Sequence, residues 1–280
     1  MSLETQSEAP SQGAEVDEAV AGKLPLSVFA VTLNEAANIA RMLESVSGFA
    51  GEMLVVDCGS TDATIPIAKA IGAQIIEHPW QGYAKQKQFA LERCKYDWCL
   101  CLDADEAVSD ELAAGIGELL CDESVAAYRL GRTDFFAGEP AAAGIHRQGG
   151  TRLIRKSRCR FDTSRTVHEK MIIEGEERKV DLSFIHFGYG NLEALTDKNN
   201  KYSTLKAAEK AAGGKTPSLL RLVFSGPVNF LQFYIVQRNF LWGWRGFVRS
   251  VATAYYAFCV DAKRFEIAAR AKRQDGEERK

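Results

Sequence analysis

Between Leu26 and Asp103 the chain changes period six times, and this alternation restricts its fold more than any other feature. Short apolar runs occur at "LSVFAVTL" (26–33), "EMLVVD" (52–57), "AQIIEH" (73–78) and "WCLCLD" (98–103). Between them the spacing turns helical: Ile39, Met42, Leu43 and Val46, then Ile65, Ala68 and Ile71, then "GYAKQKQFALERC". Strands that alternate with helices imply right-handed crossovers and a parallel sheet, an α/β class. Ligands on such sheets bind at the carboxyl ends of the strands. The polar residues at those ends are Thr32, Asn34, Glu35, Asp57, Asp103 and Asp105.

The rhythm changes after Leu120. "AAYRLGRTDFFAG" and "GTRLIRKSRCRF" resemble a hairpin pair with Gly138 and Pro140 in its turn, and "VHEKMIIEG" and "KVDLSFIHFGY" resemble two further strands. A helix is expected over 191–212, ended by Gly213-Gly214, with amphipathic helix to about residue 270. Near the start, Gly59 suits a tight turn and Ser60 or Thr61 an N-cap. Pro66 must then lie in the first turn of its helix or kink it.

Bulk composition excludes several classes. A net charge of −2 gives no whole-molecule attraction to nucleic acid. Seven cysteines, an odd number without a C-x-x-C pair, point to reduced thiols and no zinc site. Residues 1–22 hold five acids and no Lys or Arg, so they are expected to be a disordered tail rather than a secretory signal. From Lys198 to Arg249 the balance reverses. Nine Lys/Arg face one acid, Glu209, among many aromatic residues. Such a segment suits an anionic membrane surface, with Phe240, Trp242, Trp244 and Phe247 at the headgroup boundary and Arg238, Arg245 and Arg249 on lipid phosphates. The uncharged stretch there, Leu222 to Gln237, includes Gly226-Pro227 and falls short of the roughly 20 residues of a membrane span. No transmembrane helix is expected. No RNA-binding or zinc pattern accompanies the basic residues, so no nucleic-acid partner is expected either.

"DADE" (103–106) crowds three acids into four residues at the tip of the fourth apolar run. Asp-x-Asp alone is common in loops, and its place in the sheet is what gives it weight. Asp103 and Asp105 there can face one hard cation that bridges to phosphate. Asp57, at the end of the second run, is placed to accept from a base or ribose. Neither G-x-G-x-x-G nor a P-loop is present.

"VTLNEAANIARMLESV", "LVVDCGSTDAT" and "WCLCLDADE", in this order, resemble glycosyltransferase family 2 with a GT-A fold. The resemblance is closest to lipopolysaccharide core glucosyltransferases of the WaaE/KdtX type. It extends through "GYAKQKQFAL", "GGTRLIRK", "RFDTSRTVHEKMIIEG" and His186, over roughly residues 26–260. It implies that Thr32, Asn34, Glu35, Asp57 and Asp62 line a nucleotide pocket. It also implies that Asp103 and Asp105 hold the donor sugar and a Mg²⁺ or Mn²⁺ on the diphosphate. Two departures stand out: Cys58, where many members carry an acid, and His168-Glu169, where an "ED" pair is usual.

Displacement at an anomeric carbon needs a neutralised leaving group and a base for the acceptor hydroxyl. Glu169 is the candidate base, with His168 orienting it. His186 is a candidate further metal or diphosphate ligand, and Lys87, Arg152 and Arg155 are candidate phosphate contacts. Glu106 either buttresses the loop or touches the sugar. The expected organisation is an acidic tail (1–23), a GT-A domain (24–190), a helical membrane-proximal region (191–270) and a flexible tail (271–280). The expected activity is inverting transfer from a UDP-sugar to a lipid-linked saccharide at the cytoplasmic face of the membrane. A polyprenyl-phosphate acceptor and an inactive nucleotide-sugar-binding scaffold are the alternatives.

Overall fold

The computed structural model describes residues 22–145, 149–164, 170–214 and 216–277. The expected acidic tail and the His168-Glu169 pair lie outside them. The chain divides into two compact units. The first comprises residues up to Leu130 with Thr151–Leu182, and the second Gly131–Gly150 with Ser183 onward.

In the first unit, β1 (Leu24–Thr32), β2 (Ala50–Asp57), β3 (Gln74–Glu77) and β4 (Trp98–Cys101) are parallel neighbours in the order β3-β2-β1-β4. The crossovers are α1 (Ile39–Ser47), α2 (Thr64–Ala70) and α3 (Tyr83–Arg93). Helix α1 buries Ile39, Met42, Leu43 and Val46, the four positions of its apolar period. Strand β4 buries all four residues, so Cys99 and Cys101 are strand core. They pack with Phe29, Leu54, Val56, Leu91 and Ile154. Helix α2 starts later than the expected cap. Its N-cap is Ala63, and Pro66 sits harmlessly in the first turn. Ser60 is not a cap because its hydroxyl donates to Asp57 instead.

The sheet then turns mixed. A short β5 (Glu106–Val108) and α4 (Asp110–Leu120) follow β4, with the Ser109 hydroxyl capping α4 at the Leu112 N–H. Strand β6 (Val125–Phe136) and β7 (Glu139–Pro140) form a hairpin across Ala137-Gly138. Strand β8 (Gly150–Arg155) runs antiparallel to β4, and β11 (Glu176–Tyr189) lies between β6 and β5. Strands β9 (Cys159–Phe161) and β10 (Met171–Ile173) leave the sheet as a separate antiparallel pair.

The second unit holds α5 (Leu192–Ala212), α6 (Leu219–Leu231) and the long α7 (Gly243–Glu277). A π turn (Gln232–Val236) and a 3₁₀ turn (Asn239–Trp242) join the last two. Gly226-Pro227 does not break α6, since Pro227 lies inside it. Leu219–Val236 is therefore an 18-residue helical stretch of mean hydropathy 1.4 with none of it buried. The expectation of no transmembrane helix rested on the shortness of the uncharged stretch, and the helical stretch is longer because it starts at Leu219 and includes Arg221. By length and composition alone, the segment is apolar enough to cross a bilayer.

Close approach makes Gly51 of β2 a sensitive position. A Cβ there would lie 2.5 Å from the Leu24 carbonyl oxygen and 2.7 Å from the Tyr96 ring. Gly51→Ala is expected to cost about 1–3 kcal/mol through overpacking. Urea unfolding of the variant against wild type measures this.

Candidate active site

The register of β1 against β2 sets Thr32 opposite Asp57, at the carboxyl ends of both strands. The Thr32 hydroxyl donates to Asp57 Oδ1 at 3.0 Å. Asp57 is fully buried, and its other oxygen accepts from the Gly59 and Ser60 N–H groups at 2.9 and 2.7 Å. Gly59 permits this turn with φ +98°. The carboxylate expected on a base or ribose is thus committed to shaping the loop after β2.

That loop is stitched to the loop after β1. Asn34 adopts a left-handed φ of 55°, which Asn tolerates. Its N–H donates to Ser60 Oγ, and its side-chain oxygen accepts from the Thr61 N–H, both at 2.8 Å. The Glu35 N–H donates to Thr64 Oγ1 at 2.8 Å and the Ala36 N–H to Asp62 at 3.1 Å. Glu35 in turn accepts from Asn38. Asp62 is also held by Thr64, which draws its carboxyl below the ordinary value. The five residues expected around a nucleotide therefore form one hydrogen-bonded rim.

β1 also pairs with β4, so the chain leaves the sheet at Asp103 beside the end of β1. Here the structure supplies its own cations. Lys87 Nζ lies 2.9 Å from Asp103 Oδ1. Arg152 Nη2 lies 3.2 Å from Asp103 Oδ2 and 2.6 Å from Glu106 Oε1. The sequence reading put a metal ion between Asp103 and Asp105. Lys87 and Arg152 neutralise Asp103, and Arg152 also faces Glu106. Glu106 is buried and also accepts from the Asp103 N–H at 2.9 Å, so it buttresses the loop. Surrounding atoms push the Asp103 carboxyl up, but Lys87 and Arg152 outweigh this and hold it well below the usual range. Burial presses the Arg152 guanidinium down, while Asp103 and Glu106 more than reverse it. Asp105 sits half-buried on the turn between Asp103 and Glu106.

Helix α3 aims Lys87 through a polar anchor that periodicity did not single out. Gln86 is fully buried, donating to the His78 carbonyl at 2.9 Å and to Cys58 Sγ at 3.2 Å. Gln88 accepts from the Phe161 N–H at 2.8 Å. Among the described residues, Arg155 has no recorded bond to a site residue. It bonds to Asp97 and to the carbonyls of Val125 and Asp122. His186 belongs to the second unit, where Nδ1 lies 3.0 Å from Asp134 Oδ1.

No group of three or more metal-ligating side chains is assembled among the described residues. Two carboxylates at one strand tip still suit Mg²⁺ or Mn²⁺, which commonly take one or two protein oxygens and complete their shell with phosphate and water.

A parallel α/β sheet that widens into mixed strands, with acids gathered at the carboxyl ends, is the GT-A architecture. The chain belongs to glycosyltransferase family 2: the model described as "Glycosyl transferase family 2" matches residues 27–170. It is 37% identical to the lipopolysaccharide core biosynthesis glycosyltransferase LpsC of Rhizobium meliloti, over 87% of this chain and 93% of that one. It is 33% identical to an uncharacterized glycosyltransferase, RP128, of Rickettsia prowazekii, over 85% and 86%. Among solved structures it is similar to glucosyl-3-phosphoglycerate synthase from Mycobacterium tuberculosis, at 26% identity and a TM-score of 0.33. That match covers 48% of this chain and 51% of the other. The protein is an enzyme, a glycosyltransferase.

Arg152→Ala would leave Glu106 buried without its cation. Breaking a buried pair in this way is expected to cost about 3–5 kcal/mol. Because the Asp103 carboxyl is depressed, its contribution to stability is full above the ordinary carboxylate range and fades as pH falls below about 4. Urea midpoints of wild type and variant from pH 7 to pH 3 should therefore converge toward the acid end.

Proposed function

We propose that the protein moves a hexose, glucose, from a UDP-sugar to a lipid-linked saccharide such as the lipopolysaccharide inner core, with inversion at the anomeric carbon. The observation that carries this reading is the ion cluster at the tip of β4, where Lys87 and Arg152 sit against Asp103 beside a hydrogen-bonded loop rim. A nucleoside diphosphate needs both features: backbone and side-chain groups for the nucleoside, and cations with hard oxygen ligands for the diphosphate.

In this reading Thr32, Asn34, Glu35, Asp57 and Asp62 shape the nucleoside pocket. Asp103, kept ionised by Lys87 and Arg152, orients the donor sugar and ribose. Asp103 and Asp105 would hold Mg²⁺ or Mn²⁺, which supplies positive charge to the leaving diphosphate. His186, read from sequence as a further ligand, is assigned instead to Asp134 in the second unit. Glu169 takes the acceptor proton as the hydroxyl oxygen bonds to the anomeric carbon and the bond to the diphosphate oxygen breaks.

The membrane part of the proposal rests on the exposed apolar helices of the second unit. Leu219, Leu220, Val223, Phe224, Val228, Leu231, Ile235 and Val236 are all more than half exposed. Aromatic contacts from Phe230 and Tyr234 to Phe247 tie this face to α7. So much exposed apolar surface beside a basic segment suits the interface of an anionic bilayer on the cytoplasmic side. The composition of the platform differs from the sequence expectation. Trp242 is buried against Phe136. Arg249 is held by Asp134, and Arg245 donates to the Ala137 carbonyl. Phe240, Trp244 and Phe247 stay exposed, and the apolar side chains of α6 add to them.

In a transfer assay with UDP-glucose and lipid-linked acceptor, Asp105→Ala should lower the rate by about 10³-fold, the equivalent of several kcal/mol of leaving-group stabilisation. Glu169→Gln should lower it by about 10²–10⁴-fold while UDP affinity holds. Wild-type turnover undiminished by EDTA would sink the metal-assisted reading.

The protein should also sediment with phosphatidylglycerol vesicles at low salt, and Phe224→Asp combined with Val228→Asp should release it. Protein that stays in the supernatant at low salt would remove the membrane from the proposal.

A further inference from the structure

The exposed large apolar side chains of the first unit stand at one edge of it. Among its described residues they are Leu33, Trp80 and Tyr83, at 51%, 47% and 48% exposure. Leu33 follows the last residue of β1, Trp80 lies shortly past β3, and Tyr83 opens α3. Single apolar residues scattered over a surface need no explanation. These three fall at the carboxyl ends of a parallel sheet, where such sheets bind their ligands.

Trp80 and Tyr83 meet as a pair. Their ring centroids are 4.7 Å apart and their planes cross at 86°, an edge-on contact that leaves ring faces open to a further planar group. Their loop is tied to the tip of β2. The His78 N–H donates to the Asp57 carbonyl at 2.8 Å, which fixes the exit of β3 beside Asp57. Gly82, at φ +100°, turns the chain from Trp80 into α3. The buried Gln86 then bonds the first turn of α3 to the His78 carbonyl and to Cys58. Tyr83 and Lys87 lie one turn apart on the same face of α3, and Lys87 faces Asp103. The aromatic pair therefore stands on the side of the helix that meets the ion cluster.

The strand order gives the arrangement a direction. In β3-β2-β1-β4, Asp103 and Asp105 follow β4 and Trp80 follows β3, three strand spacings of about 4.8 Å apart. A nucleotide sugar is elongated, with its sugar at one end, its base at the other and the diphosphate between them. With the diphosphate at the acids, the base falls toward β2 and β3, where the flat rings are. Asp57 is enclosed by its own loop, so the aromatic pair is the feature of this edge best suited to the face of a base.

We propose that Trp80, steadied by Tyr83, stacks on the nucleobase of the donor nucleotide. The placement of the pair rests on the geometry of the first unit, and the identity of its ligand rests on the transferase reading.

The test is titration of the full chain, with Mg²⁺ present, by UDP and separately by inorganic pyrophosphate, followed by calorimetry and by tryptophan fluorescence. Of the four tryptophans, Trp98 and Trp242 are buried and Trp244 lies in the second unit, which makes Trp80 the reporter at this edge. UDP should quench the wild-type fluorescence. Trp80→Ala should weaken UDP binding by about 5–100-fold, the loss expected for one base–aromatic stack, and leave pyrophosphate affinity unchanged. Trp80→Phe keeps a flat ring, so it should retain most of the UDP affinity while losing the quench. Thermal melting checks that both variants fold. An equal loss of UDP and pyrophosphate affinity would mark a displaced loop and overturn the proposal. Methyl β-D-glucoside is titrated in parallel, and if it quenches Trp80 while UDP does not, the pair serves a saccharide and the proposal fails. Wild type that binds neither UDP nor pyrophosphate would remove the transferase reading and the stacking with it. UDP bound equally well by wild type and folded Trp80→Ala would remove the stacking alone.

Discussion

Arg152 is the charge on which the tip of β4 depends. It reaches Asp103 and Glu106 from 49 and 46 residues further along the chain, and it does so from β8, which pairs antiparallel with β4. Without that pairing, three acids in four residues would repel one another at the end of a buried strand. With it, Glu106 can be buried as a brace and Asp103 kept ionised at the strand tip. Asp105 remains between them, on the turn. The mixed half of the sheet thus delivers a second cation, Arg152, beside the Lys87 that α3 of the parallel half supplies.

The rim of the site follows the same logic on a smaller scale. The loops after β1 and β2 carry few apolar residues and could not hold a shape by packing. They are held by reciprocal hydrogen bonds between Asn34, Glu35 and Ala36 on one side and Ser60, Thr61, Asp62 and Thr64 on the other. Asp57 closes the arrangement from below, buried and saturated with donors. The motif "VVDCGSTD" therefore works as a loop-shaping device.

The second unit repeats the pattern of one acid organising several cations. Asp134 gathers Arg132, His186 and Arg249, and burial there is outweighed by these partners, which draw its carboxyl well below the ordinary range. The unit also exposes the apolar side chains of α6.

The sequence by itself determined the strand–helix alternation, the buried face of α1, the strand nature of Cys99 and Cys101, and the strand tips where the polar residues gather. Those features follow from local periodicity, which a chain carries within ten or so residues. Only the tertiary structure decided which charges meet. Lys87 and Arg152 look like surface charges along the chain, and Gln86 like an ordinary helix residue. Lys87 and Gln86 are buried and Arg152 half-buried, because a distant strand or helix brings each its partner. The same holds for Trp242 and Arg249, which composition assigned to a membrane surface and packing placed inside. Pro227 was the converse case. Its local signal says that a helix should end, but the helix continues through it, because a proline removes one hydrogen bond and the rest of α6 keeps its own.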